Sequence, residues 1–341
     1  MRVLVTGHRG YIGTVLTPML LDAGHAVVGL DTDLYRDCTF GDPGLIADVP
    51  RLERDLRDVE LDDLAGFDAV LHLAALSNDP LGDLSPELTD DINHLASVRL
   101  AELAREAGVA RFVFSSSCSN YGASDGTLLD ERADLRPVTP YGISKVLVER
   151  DVGRLASDAF TPVFLRNATA YGMSPRFRFD IVLNNLVAWG HATGRVRLKS
   201  DGTPWRPMVH VRDICRAFLT VLDAPRELIH GEAFNVGATE ENYQIRDLAR
   251  IAAEVIPGCA VEFAPGASPD TRNYRVDCDK IRQVLDFSLE WDARRGAAEI
   301  LAGCRLNGAT VADFEGPRYA RIAHIRQLLE RGTLTPDLRF A

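Results

Sequence analysis

The chain of 341 residues is long enough for two lobes, or for one large domain with a smaller one attached, and its 46% hydrophobic and 26% charged residues are ordinary for a globular protein. A formal net charge of −11 argues against nucleic acid as a partner but not against a small phosphorylated ligand gripped by local arginines. No apolar run approaches the roughly 18 residues of a membrane span, the first residues carry no signal-peptide pattern, and the cysteines (Cys38, Cys118, Cys215, Cys259, Cys278 and Cys304) contain no CxxC pair, so a cytoplasmic protein without membrane partner, metal site or disulfide framework is expected.

In chain order, residues 3–5 form an apolar β run. Residues 11–23 carry Ile12, Val15, Leu16, Met19 and Leu20 at helical spacing, and residues 26–30 form a second apolar run ending at Asp31. Strands apolar throughout are buried on both faces, as in a parallel sheet. The alternation continues with a strand at 69–73, a long helix within 84–107, a strand at 111–114 running into serines, a helix over 141–157 and a strand at 162–165. It predicts an α/β fold, a doubly wound parallel sheet of the Rossmann type. Beyond Gly172 the rhythm weakens to an arginine- and proline-rich loop at 173–179, a helix at 181–191, and a strand and turn at 196–205. A helix at 211–222, a strand at 233–236, a helix at 245–255 and an amphipathic helix over 317–331 follow. The predicted division is a nucleotide-binding domain over 1–172, to which 206–237 returns, and a smaller C-terminal α/β substrate lobe over 173–341. The loop at 33–50 carries no assignable element.

Gly7, Gly10 and Gly13 follow the first strand at the spacing GxxGxxG. Glycine lets the backbone turn tightly and approach a pyrophosphate, toward which the next helix aims its free N–H groups and positive dipole end. Asp31, 18 residues after Gly13, is placed to accept hydrogen bonds from both hydroxyls of an adenosine ribose and to repel a 2′-phosphate, which favours NAD over NADP. His8 and Arg9 inside the turn speak the other way. Tyr141 and Lys145 are four residues apart and so share one helix face. An ammonium beside a phenol favours the phenolate, and a tyrosine so tuned acts as a general base near neutral pH. The pair follows the serine-rich run 115–122 at the carboxyl end of a strand, where open α/β sheets place their ligands.

Taken in order, Thr6-Gly-His-Arg-Gly-Tyr-Ile-Gly13, Asp31, Asp55-Leu56, His72-Leu-Ala-Ala75, Asn93, the run 115–122, and Tyr141 with Lys145 resemble the extended short-chain dehydrogenase/reductases. Within them they look like the NAD-dependent nucleotide-sugar epimerases and dehydratases of the UDP-glucose 4-epimerase type, from Met1 to about Trp291. The resemblance implies that Gly7, Gly10, Tyr11, Ile12 and Asp31 hold NAD, with Asp55 and Leu56 beside the adenine. It adds Leu73, Ala74, Ala75, Asn93 and Ser115 to the cofactor set. Tyr141 would be the base, Lys145 would orient the nicotinamide ribose, and Ser117 falls where the family has its catalytic hydroxyl. Trp205-Arg-Pro-Met-Val-His-Val-Arg-Asp213 is similar to an arginine-bearing strand whose Arg206 grips the substrate diphosphate, and Arg272 matches a second such arginine. Arg176 and Arg178 are further candidates.

Two departures narrow the expectation. Where dehydratases of the family place Asp and Glu after the catalytic Thr, this chain has Cys118 and Ser119, so 4,6-dehydration is not expected. A family asparagine that contacts the sugar is here Thr169, with Asn167 two places earlier. Ser119, Asn167 and Thr169 therefore join Ser117, Tyr141, Arg206 and Arg272 as expected contacts to a nucleoside-diphosphate sugar, and Cys118 either joins them and exchanges a proton or, as its chemistry favours, is a small buried filler. The expected reaction is epimerisation by transient oxidation at C4 and re-reduction on the opposite face, with NAD regenerated in each cycle. A 4-ketoreductase or dehydrogenase with net redox turnover is the alternative, and a non-catalytic NAD-binding regulatory protein a third reading. The resemblance also implies a homodimer formed through the helices near 90–107 and 141–157.

Overall fold

Strands form where the apolar runs predict them. In chain order they are β1 (Arg2–Thr6), β2 (Ala26–Leu30), β3 (Arg51–Leu52), β4 (Ala69–His72), β5 (Arg111–Ser117), β6 (Leu128–Leu129), β7 (Thr161–Asn167), β8 (Thr169–Tyr171), β9 (Arg195–Leu198), β10 (Trp205–His210), β11 (Ala233–Val236), β12 (Asn242–Gln244), β13 (Ala260–Phe263) and β14 (Arg275–Val276). This is a computed structural model, and it describes residues 1–122, 126–198, 200–263 and 273–341. Seven strands make one parallel sheet in the order β11-β7-β5-β4-β1-β2-β3. From β1 the chain builds outward through β2 and β3, then returns to build the other way through β4. The reversal opens a crevice at the carboxyl ends of β1 and β4.

Both faces of this sheet are covered. Val3 and Val5 pack with Leu16 and Leu20 of the helix Gly13–Asp22 and with Phe218 and Val221 of the helix Val211–Asp223. Leu4, between them, points the other way. It joins Leu100 of the helix Ala96–Glu106 and Val148 and Val152 of the helix Pro140–Gly153. Each fully buried aliphatic side chain of this kind is worth about 1.5–3 kcal/mol relative to exposure, which is why the strands read as continuous apolar runs.

Two elements differ from the sequence expectation. β5 runs to Ser117 rather than ending at 114, because Ser115, Ser116 and Ser117 keep their register with Leu165, Arg166 and Asn167 of β7. The long helix within 84–107 is three pieces: Pro86–Thr89, a π-helical stretch Asp90–Leu95, and Ala96–Glu106. Such stretches often accompany functional sites, and this one turns Asn93 inward.

The second core gathers Phe40, Phe177, Phe179, Leu183, Leu248 and Ile300 between the helices Val182–Thr193, Ile245–Val255 and Ala293–Leu306. It is edged by the three-stranded sheet β12-β10-β8 and the pair β13-β9. Within 206–237, β10 pairs in that smaller sheet, whereas the helix Val211–Asp223 and β11 lie with the large one. Residues 321–341 return to the first half of the chain, where Ile325, Leu334 and Leu338 pack with Leu76 and Leu81. The loop at 33–50 is organised by Arg176, whose buried guanidinium donates to the carbonyls of Arg9 and Arg36, to Thr39 and to Asp33. Arg176 is thus a structural strut and not a ligand-gripping arginine. Among the described residues no helix is long and apolar enough to cross a membrane and no cluster of His, Cys, Asp and Glu could hold a metal.

Candidate active site

One cavity of about 790 Å³ follows the crevice at the carboxyl ends of the strands. Its floor is the glycine turn. Gly7 has φ +73°, and a Cβ there would lie 2.8 Å from the Ala74 amide nitrogen. At Gly13 a Cβ would lie 2.2 Å from the Gly7 carbonyl oxygen. Only glycine lets the turn, the loop after β4 and the start of the helix approach so closely. The first turn of that helix holds no acidic side chain, so its positive end faces no competing carboxylate of its own.

Asp31 closes β2 and lines the cavity. It accepts hydrogen bonds from the backbone amides of Arg9 at 2.9 Å and Asp33 at 2.8 Å. Burial pushes its pKa up against the pull of those amides. The two basic residues of the turn have other work. The His8 ring fills the space a side chain at Gly29 would take, with ring atoms 2.4 Å from where a Cβ would stand, and burial lowers its pKa so that it is neutral. The Arg9 guanidinium pairs with Asp33 at 2.8 Å, and Asp33 also takes Arg176 at 3.0 Å. Tyr11, Ile12, Asp55, Leu56, Leu73, Ala74 and Ala75 all line the same cavity. Burial pushes the Asp55 carboxyl up, but Arg57, bonded to both its oxygens, outweighs that and holds it below its usual range.

Asn93 is a correction to the expected cofactor set. It lies outside the cavity wall, with its amide oxygen accepting from Leu76 N at 2.7 Å and its amide nitrogen donating to Leu76 O at 3.1 Å. It positions the loop that lines the cavity and does not itself face the space. A buried relay fixes the other end of that loop. The Thr6 hydroxyl accepts from Leu73 N and Ala74 N, so its hydrogen goes to His72 Nδ1 at 2.6 Å, and His72 Nε2–H donates to Ser97 at 2.7 Å. Burial drops His72 to about 3, which keeps this neutral tautomer.

Opposite the glycine turn stand Ser115, Ser117, Ser119, Tyr141 and Lys145. Thr139 caps the helix Pro140–Gly153 through its hydroxyl, which accepts from Gly142 N, and so aims Tyr141 from the first turn. Ser117 Oγ accepts from Ser119 N at 3.1 Å and from the Ser119 hydroxyl at 2.9 Å. With both acceptor sites used, the Ser117 hydrogen remains free to donate, and Ser117 beside Tyr141 favours the phenolate. Burial nonetheless raises Tyr141 to about 12, with Asp79 adding to the rise and Ser117 opposing it. The expectation that Lys145 lowers this pKa is not met in the chain by itself. The Lys145 Nζ lies 5.7 Å from the centre of the Tyr141 ring and donates to Ser115 O at 2.7 Å, and burial pulls Lys145 itself down to about 7. Desolvation outweighs the opposing neighbours of both groups, Ser117 for Tyr141 and Glu149 for Lys145.

Among the expected sugar contacts, Ser119, Asn167, Thr169 and Arg206 line the cavity. Asn167 donates to Ser115 Oγ at 3.0 Å, while its side-chain amide oxygen has no hydrogen-bond partner among the described residues. Of the two readings of Cys118 the buried filler holds and the sugar contact is corrected: its thiol is fully buried, donates to Arg166 O at 3.1 Å and packs with Tyr121, Tyr274 and Cys278. The half-turn after β5 points it into that small core. Arg272 lies outside the described residues. Arg206 lies over the Tyr274 ring at 5.7 Å. Arg178 lines the cavity paired with Asp180 at 2.6 Å. Sequence reasoning missed Ser77, Asn78, Asp79 and Tyr274. Asn78 caps the short helix Asp79–Gly82, and Asp79 accepts from Thr139 at 2.7 Å, beside Tyr141. The Asn-Asp-Pro order at 78–80, with two residues between it and Leu73–Ala75, was the available signal.

The arrangement fits a dinucleotide on backbone atoms of the turn, with Asp31 facing a ribose, and leaves Ser117 and Tyr141 between it and the Arg206 end. Residues 3–237 match the model of the NAD dependent epimerase/dehydratase family. A UDP-glucose 4-epimerase of Mycolicibacterium smegmatis is 30% identical over 319 residues, covering 88% of this chain and 97% of that protein. Among solved structures, MoeE5 in complex with UDP-glucuronic acid and NAD is 28% identical, with a TM-score of 0.77 over 90% of this chain and 99% of that one. DesIV, a dTDP-glucose 4,6-dehydratase from Streptomyces venezuelae with NAD and TYD bound, is 26% identical, with a TM-score of 0.79 over 92% of this chain and 100% of that one.

Proposed function

We propose, given that the chain belongs to the NAD-dependent epimerase/dehydratase family and is an NAD-dependent enzyme of it, that it inverts C4 of a nucleoside-diphosphate hexose through a 4-keto intermediate. The observation that carries this reading is the meeting, in one cavity, of the glycine turn, the group Ser117, Tyr141 and Lys145, and Arg206. Gly7, Gly10, Gly13 and the start of the helix hold the cofactor pyrophosphate, and Asp31 takes the adenosine ribose. When bound, NAD supplies the reversible acceptor for the hydrogen that leaves the sugar carbon. Tyr141 Oη takes the proton of the C4 hydroxyl and Ser117 Oγ–H donates to that oxygen as its charge develops. Lys145 orients the nicotinamide ribose. Arg206 grips the diphosphate, so the sugar is free to present its other face after oxidation. Cys118 and Ser119 offer no carboxylic acid for the elimination of water.

The same reading carries a homodimer through the helices Ala96–Glu106 and Pro140–Gly153, near which Leu95 and Ile143 are exposed. A monomer by light scattering would count against it. The function is tested by purifying the protein without additions, measuring bound NAD, and following a panel of nucleoside-diphosphate hexoses by NMR. Conversion between C4 epimers with no added cofactor supports the reading. Stoichiometric consumption of NAD or NADH would replace it with net redox chemistry.

A further inference from the structure

We infer that the C-terminal turn at 334–340, with Leu338 at its tip, forms the outer wall of the adenosine end of the cofactor cavity and retains NAD there. This rests on the reading of the cavity as the NAD site. Leu338 lines that cavity together with Asp31, Asp55 and Leu56, although it is more than 280 residues away in sequence and outside the stretch 3–237 that matches the family.

The turn is built to project one side chain. Leu334 and Phe340 pair as an antiparallel bridge, Thr335 N donates to Arg339 O, and Leu338 N donates to Thr335 O. This leaves Leu338 at φ +60°, a conformation that favours glycine and strains a leucine. A glycine would relieve the strain but would leave the cavity open. The strained residue is nonetheless buried, and packs with Leu76, Leu81, Ile325 and Leu334.

The turn is also anchored to the adenosine end. Arg57 donates to Asp337 O at 3.0 Å while bonding Asp55. Arg339 pairs with Asp58, and Arg36 lies over the Phe340 ring at 3.9 Å. One side chain, Arg57, therefore ties the turn to Asp55, the residue expected beside the adenine. A second leucine in the lining with Leu56 suits a flat aromatic base at this end.

Leu338→Gly tests this with a backbone that glycine accepts at φ +60°, and its loss of packing is controlled by the nicotinamide mononucleotide arm and by Arg339→Ala, which keeps Leu338. The full chain, stripped of bound nucleotide, is titrated with NAD, ADP-ribose and nicotinamide mononucleotide by calorimetry, beside the unmodified protein. The expected result is an affinity for NAD and ADP-ribose weakened about tenfold or more, as loss of a buried leucine contact implies, with nicotinamide mononucleotide unchanged. Arg339→Ala, which keeps Leu338 and removes the pair to Asp58, is expected to release NAD several-fold faster. Equal ADP-ribose affinity in L338G, or an equal loss for nicotinamide mononucleotide, overturns the inference alone. An unmodified chain that binds neither NAD nor ADP-ribose overturns the reading of the cavity, and this inference with it.

Discussion

The two ends of the cavity are made of different material. At the turn after β1 the wall is backbone, shaped by Gly7 and Gly13, where any Cβ would collide with neighbouring main chain. At the far end the wall is side chains, with Arg206 set over the Tyr274 ring, brought in from two separate stretches. On the proposed reading the first accepts the pyrophosphate of a dinucleotide, whereas the second sets what the sugar nucleotide must look like. Between them lies the reactive pair, which serves both. Substitutions in the three zones therefore separate by which quantity they move.

The largest effect belongs to the middle zone. Tyr141→Phe removes the hydroxyl proposed to take the C4 proton and is expected to lower kcat by about 10³–10⁴ while bound NAD is unchanged. A variant with unchanged turnover would move the chemistry to another residue, and Asp79 would be the first to examine. Next comes the backbone wall. Gly13→Ala puts a Cβ 2.2 Å from a carbonyl that cannot move, so retained NAD is expected to fall by roughly 100-fold, about 3 kcal/mol, with stability falling too. Retention of NAD by that variant would mean the turn is looser than its contacts indicate.

Lys145 links the zones and can be read through pH. Its pKa is about 7 in the folded chain against an ordinary value of 10.5. Between those values the unfolded chain binds the extra proton, so stability rises with pH across this window. The gain from pH 7 to 9.5 is on the order of 3 kcal/mol from this group. Lys145→Met should abolish that part of the slope in denaturant titrations of cofactor-free protein. Tyr141, raised to about 12, contributes with the opposite sign only above pH 10, outside the window. An identical slope in both proteins would show that Lys145 keeps its proton.

The side-chain wall tolerates change better. Arg206→Ala is expected to raise KM for the nucleotide sugar about 10- to 30-fold, to leave kcat within a few-fold and to leave bound NAD alone. Arg206→Lys should recover part of the loss, whereas nothing larger than glycine can stand at position 13. If Arg206→Ala also stripped NAD, the two ends would not be separate.

The same difference explains what could be read in advance. The glycine spacing, Asp31 and the alternating strands are local patterns, and local sterics make them: a residue with no Cβ at a crowded turn, an apolar run between two helix layers. Tyr141 and Lys145 are legible because helical spacing alone aligns them. Arg176 is not, since four acceptors from 9, 33, 36 and 39 decide that it is a strut. Nor is Asn93, whose inward turn depends on a π-helical stretch that a periodic pattern conceals. Asp79 and Leu338 reach the cavity only through packing against elements 60 or more residues away.

Cys118 gives the smallest effect and the finest test of the comparison. By position it follows Ser117, a group of the reactive zone, and in sequence it could be taken for a sugar contact. By contact it belongs behind the side-chain wall, with its thiol on Arg166 O and its bulk against Tyr274 and Cys278. Burial pushes the thiol well above its ordinary value, so it carries no charge to offer a substrate. Cys118→Ala should therefore cost about 1 kcal/mol of stability, the loss of a small buried hydrophobe, and leave kcat within about twofold. Any kinetic change should fall on KM, because the neighbour that loosens is Tyr274, which lines the Arg206 end of the cavity. A tenfold drop in kcat with NAD still bound would mean that the thiol turns toward the sugar during turnover, and would move Cys118 from the wall into the reactive zone.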